Sequence, residues 1–266
     1  ISSGVVSVIG AGTCTLNANQ AGTGYYAAAS QVQQSFTVAK KAQTISFTST
    51  APTTAVVGGD SYTATGTGGA STSAVIFTID ATTSTICSIA SAEITFLKAG
   101  TCKVNANQAG DTNYLAASEV QQSITVGKGS QVLAFTSTPP VNPVVGGSTY
   151  TVGATGGASG SEVTFSIDGS TSANCSILGT VVSFTAVGSC VVTANQLGSN
   201  NYNAAPEVTQ TIAVGLGTQV IDFSSTPPNN AIVDGPSYLI SATGGASGNP
   251  VFYTVGLSSA TVCSIV

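Results

Sequence analysis

Residues 175–190 read Cys-Ser-Ile-Leu-Gly-Thr-Val-Val-Ser-Phe-Thr-Ala-Val-Gly-Ser-Cys, and residues 87–102 read Cys-Ser-Ile-Ala-Ser-Ala-Glu-Ile-Thr-Phe-Leu-Lys-Ala-Gly-Thr-Cys. Each stretch sets two short β-prone runs between cysteines 15 residues apart. The six cysteines fall at 14, 87, 102, 175, 190 and 263, so the steps 14 to 102 to 190 and 87 to 175 to 263 are all 88 residues. Self-similarity at a fixed period marks a repeat architecture. Gln43, Gln131 and Gln219 keep the same step, as do Phe47, Phe135 and Phe223, then Tyr62, Tyr150 and Tyr238, then the Gly pairs at 68–69, 156–157 and 244–245. Segments 43–126 and 131–214 share 44 of 84 positions without a gap, so they are one module written twice.

Outward from the second cysteine pair, the pattern is strand after strand. Runs 131–138, 148–154, 162–168, 175–178, 181–185, 189–195 and 207–214 are β-prone, with Gly, Pro and Asn turns between them. Seven short strands at roughly ten-residue spacing predict an all-β sandwich of immunoglobulin-like size. No useful 3.6-residue periodicity competes, so helices should be few. A β-solenoid would repeat at about 20–30 residues, far below this period. The predicted organisation is therefore tandem modules of 88 residues in a linear array. Residues 1–41 read as the C-terminal half of a module, 42–129 and 130–217 as complete modules, and 218–266 as the N-terminal half of another. Joins of six residues, Val126-Gly-Lys-Gly-Ser-Gln131 and Val214-Gly-Leu-Gly-Thr-Gln219, contain no flexible tract and predict a semi-rigid rod.

The run from Phe135-Thr-Ser-Thr-Pro-Pro through Val145-Gly-Gly, Gly156-Gly157, Phe165-Ser-Ile-Asp168 and Ala194-Asn-Gln196 to Tyr202 resembles the tandem bacterial immunoglobulin-like repeats of large secreted surface proteins. The resemblance spans the whole chain. It implies β-sandwich modules serving as spacers or adhesive units at a cell surface. The chain departs from antibody-type domains in lacking the core Trp, and its cysteine spacing is too short for the disulfide that crosses their two sheets.

Composition narrows the role. Of 266 residues only 6% are charged, with ten acids against five lysines, a net charge of −5, and no His, Met or Trp. Five scattered lysines make no nucleic-acid footprint. The absence of His removes the usual general acid or base near neutral pH. Seventy-three Ser and Thr leave a surface of hydroxyls and amides, while a 42% apolar fraction is too high for disorder. No run reaches the roughly 18 apolar residues of a membrane span.

The candidate sites follow from the repeat. Cys87–Cys102 and Cys175–Cys190 read as disulfides within modules; free buried thiols are the alternative, and zinc is not, because no module supplies four ligands. Cys14 and Cys263 would pair with cysteines outside the chain. Disulfides place the protein in an oxidising compartment. The loop from Asn107 and Gln108 to Tyr114 recurs as Asn195, Gln196 to Tyr202 and as Asn19 to Tyr26. It reads either as a contact patch for a glycan or a neighbouring module, or as a turn whose Tyr plugs the end of the core. Asp80 and Asp168 align but become Gly256 in the third copy, and are expected as solvated strand ends more than calcium ligands. No cofactor is expected. Half-modules would expose apolar faces, which either further modules of a longer chain or strand exchange between neighbouring chains would cover; continuation is the expected case. The functional expectation is a non-enzymatic, extracellular structural protein, a segment of a cell-surface fibre, filament or adhesin stalk, with further copies of the repeat as partners. The alternatives are repeated glycan- or protein-binding modules of an adhesin, or an accessory region of a secreted enzyme.

Overall fold

The computed structural model describes residues 4–266, and the chain forms two compact units. The first comprises residues up to Val132 together with the loops Gly156–Glu162 and Gln196–Pro206; the second comprises Leu133–Thr155, Val163–Asn195 and Glu207–Val266. Both are all-β, of the immunoglobulin-like sandwich type, with short 3-10 turns as the only helical pieces among the described residues.

In the first unit, strands Tyr62–Thr63, Glu93–Phe96 and Cys87–Ala90 form one antiparallel sheet in that order. Strands Val120–Val126, Gly100–Gln108 and Val75–Ile79 form the facing one. Alternation decides which side chains turn inward. Along Glu93–Phe96, Ile94 and Phe96 are buried while Glu93 and Thr95 are exposed. Along Val120–Val126, Ile124 and Val126 are buried between exposed Ser123 and Thr125. These residues meet Val104, Tyr62, Cys87 and Cys102 in one core. A parallel bridge from Val56 to Gly127 carries segment 55–57 onto the end of the second sheet. Strands Gly12–Ala18 and Val32–Val38 form a separate antiparallel hairpin.

The second unit repeats this pattern. Tyr150–Thr151, Val181–Phe184 and Cys175–Leu178 make one sheet, and Val163–Ile167, Gly188–Gln196 and Val208–Val214 the other. Val182, Phe184, Val192, Ile212 and Val214 fill the space between them. Beyond Gly217 only Asp222–Phe223 pairs with Ala242–Thr243, and none of residues 218–266 is buried.

Cys87 bonds Cys102, and Cys175 bonds Cys190, each with Cα atoms 5.8 Å apart. In both units the bond ties one sheet to the other, because its two cysteines lie on strands of different sheets. The short spacing still allows a cross-sheet disulfide because the chain passes directly from one edge strand through its neighbour into the opposite layer. Expected runs 131–138 and 148–154 shrink to Ala134–Phe135 and to Tyr150–Thr151 plus Ala154–Thr155. The reason is a bulge: Thr136 and Ser137 N–H groups both donate to the Gly153 carbonyl, and Ser137 Oγ takes the Gly153 N–H at 2.9 Å. The first unit does the same with Thr48, Ser49 and Thr65.

Candidate contact loop at the joins

The recurring loop begins at the end of the central strand, so its first residues inherit strand geometry. Gln108 and Gln196 are each only 4% exposed, which makes their amides dependent on internal partners. Gln108 Oε1 accepts from Gly69 N–H at 2.7 Å, and its Nε2 donates to the Ser73 carbonyl at 2.8 Å. Gln196 repeats both bonds with Gly157 and Ser161, each at 2.7 Å. The Gly pair is required because a Cβ at Gly68 or Gly156 would run into the same amide. Gln43 and Gln131 brace the turn from the other side, accepting from Ser71 and Ser159 N–H at 2.8 and 2.9 Å. Asn107 and Asn195 point outward and donate to Glu119 and Glu207 at 2.8 and 2.9 Å.

Next the chain makes a tight turn. Gly110 and Gly198 sit where a Cβ would strike the carbonyls of Tyr114 and Tyr202, so no side chain fits. In the first copy the Asp111 carboxylate accepts from the N–H groups of Asn113 and Tyr114, and from Thr72 across the turn. Those bonds, led by Asn113, hold its pKa below the ordinary 3.8, with Lys40 adding to the effect.

The tip of the loop engages the preceding copy. Gly129 N–H donates to the Asn201 carbonyl and Asn203 N–H to the Gly129 carbonyl, both at 2.9 Å, as a short parallel bridge at Tyr202. Ala99 N–H donates to Asn201 Oδ1 at 3.1 Å, and Lys128 Nζ to the Ser199 carbonyl at 2.7 Å. The Tyr202 ring packs against the core of the first unit, beside Gly129, where a Cβ would come within 3.0 Å of it. One period earlier the same bonds recur. Lys41 N–H donates to the Asn113 carbonyl and Leu115 N–H to the Lys41 carbonyl, both at 2.9 Å. Ala11 N–H donates to Asn113 Oδ1 at 2.9 Å, and Lys40 Nζ to the Asp111 carbonyl at 2.6 Å.

Of the six loop residues singled out from sequence, Gln108 and Gln196 are internal clamps, Asn107 and Asn195 pair with local glutamates, and Tyr114 and Tyr202 sit at the joins. The side chains that reach across were missed: Asn113 and Asn201, Lys40 and Lys128. Their signal was present, since both pairs keep the 88-residue step. Asp80 and Asp168 have a further task. Each caps a 3-10 turn, accepting from Thr82 and Ser170 N–H at 2.9 Å and from the same residues' hydroxyls. Those hydroxyl and N–H bonds hold both carboxyls below the ordinary range. The third turn, Leu257–Ser259, starts at Gly256 and has no such cap. Among the described residues no three of His, Cys, Asp or Glu gather, and no helix is long and apolar enough to cross a membrane.

No protein-family model and no curated protein matches the chain. Among solved structures it is similar to three extracellular cadherin domains of mouse protocadherin-24, at 13% identity and a TM-score of 0.33, covering 77% of this chain and 80% of that one. It is also similar to fibronectin(III)-like modules of CbhA from Clostridium thermocellum, at 14% identity and a TM-score of 0.27, over 65% of this chain and 94% of that one. A putative membrane anchored protein of Corynebacterium diphtheriae matches at 12% identity and a TM-score of 0.26, over 80% of this chain and 62% of that one. Values this low transfer no residue, ligand or role.

Proposed function

We propose that this chain is an extracellular structural segment, a shaft of a bacterial surface fibre or adhesin stalk in which repeats of 88 residues are docked in series. The observation that carries this reading is the join, made twice with the same atoms: Asn113 and Asn201 each accept from the backbone one period apart, and Lys40 and Lys128 each reach the next loop. A loop whose polar atoms are satisfied by its own protein suits spacing better than capture of a ligand. The mechanism is mechanical. Each sandwich buries its own core, the cross-sheet disulfide limits how far it can unravel, and the docked loop holds one copy against the next. The disulfides support an oxidising, extracytoplasmic setting. The segment has no catalytic role of its own, and its partners are further copies of the repeat.

Single-molecule pulling tests this. Unfolding should come in discrete steps, and adding reductant should lengthen each step by roughly 5 nm, the reach of a 15-residue disulfide loop at about 3.4 Å per residue. Extension without steps, or steps indifferent to reductant, would contradict the reading.

A further inference from the structure

The loop tyrosines do not belong to the cores of the sandwiches that carry them. Among the described residues, the core of copy 130–217 is packed only by side chains of that copy, and Tyr202 is not one of them. Nor is Tyr114 part of the core of copy 42–129. Tyr202 packs instead against the core of copy 42–129, in a cluster whose other members all lie between Phe47 and Val126.

The socket for this ring is built from three turns at one end of the preceding sandwich. A Cβ at Gly58 would come to 3.8 Å from Tyr202 Oη. A Cβ at Gly129 would strike the Val57 carbonyl and come to 3.0 Å from Tyr202 Cε1, so the edge of the ring lies against bare backbone there. Ala99, itself packed on the core, donates its N–H to Asn201 Oδ1 at 3.1 Å. The plug, by contrast, is shaped by its own copy. Ser199 N–H donates to the Tyr202 carbonyl at 2.8 Å, and Ser199 Oγ accepts from the Asn201 and Tyr202 N–H groups at 3.3 Å. Ala205 N–H closes the loop on the Gln196 carbonyl at 3.1 Å. The Leu197 carbonyl accepts from Ser159 Oγ at 2.9 Å and from Gln131 Nε2 at 3.2 Å. All these partners lie within residues 130–217.

We infer that copies 42–129 and 130–217 unfold as a coupled pair, with Tyr202 as a core residue held by one sandwich and buried in the other. The ring is presented only while the second copy keeps its loop folded, and it has a socket only while the first copy is folded. Opening either copy alone therefore breaks the same contact, and each gains the same stabilisation from its neighbour. The unit of stability is thus longer than the 88-residue sequence repeat. The inference rests on the docked join of the proposed shaft, and adds that the join reaches into the core.

The test is amide hydrogen exchange on the full 266-residue chain, under conditions where rates report opening equilibria. Tyr202→Ala should lower protection along Glu93–Phe96, Gly100–Gln108 and Val120–Val126 by roughly tenfold, the scale set by removing a half-buried ring. Those strands belong to the copy that does not contain the substitution. Tyr202→Phe keeps the ring and should exchange like the parent. If the alanine variant fails to fold, Tyr202→Leu is mapped in the same way, with a smaller loss expected in the same strands. Unchanged protection of these strands, with effects confined to residues 130–217, overturns the inference, as does a phenylalanine variant as impaired as the alanine one. Protected join amides in the parent together with indifferent core strands would leave the docked shaft standing and remove only the coupling.

Discussion

At the scale of residues, stability rests on amides and hydroxyls, because so few charges exist. Gln196 illustrates the cost. Replacing buried Gln196 with Leu leaves Gly157 N–H and the Ser161 carbonyl without that partner in a half-buried turn, a loss of about 1–3 kcal/mol. Urea unfolding of Gln196→Leu should show that drop, with Asn195→Ala milder because Asn195 is only half-buried and its bond to Glu207 is open to solvent. The capping aspartates give a pH signature. Asp168 is held below its ordinary 3.8 by the Ser170 hydroxyl and N–H. Its contribution is therefore present above that value and disappears as pH falls through the lower folded-state pKa. Between pH 6 and pH 3, Asp168→Asn should lose less of its urea midpoint than the parent; an identical acid limb in both would remove the cap from the account.

At the scale of elements, the disulfide and the bulge set the fold. Reducing Cys175–Cys190 should cost about 3 kcal/mol for a loop of this length, read as a lowered denaturation midpoint with the strand signal in circular dichroism retained. Strands here were legible to differing degrees. Residues 175–178 coincide with Cys175–Leu178, and 207–214 with Val208–Val214 to within one residue, because both face the core on one side and alternate cleanly. The run 131–138 was overread, since Ser137 diverts the backbone bonding of Gly153, a partner 16 residues away that no local pattern shows. The 3-10 turns after Asp80 and Asp168 were likewise hidden, since only the captured N–H groups tell a cap from a solvated strand end. The loop itself was visible as a recurrence. Which atoms it offers to the join was not, because Asn201 and Ala99 meet across 102 residues of sequence.

At the scale of the whole molecule, the account depends on whether the joins stay docked in solution. A Cβ at Gly129 would come within 3.0 Å of the Tyr202 ring, and Asn201 accepts across the join once through its carbonyl and once through Oδ1. The most direct measurement is amide hydrogen exchange read residue by residue. The Gly129 and Asn203 N–H groups, which donate to the Asn201 and Gly129 carbonyls, should be protected in the parent and should lose that protection in Tyr202→Ala. If both amides exchange at open-chain rates in the parent, the docked-join account is wrong.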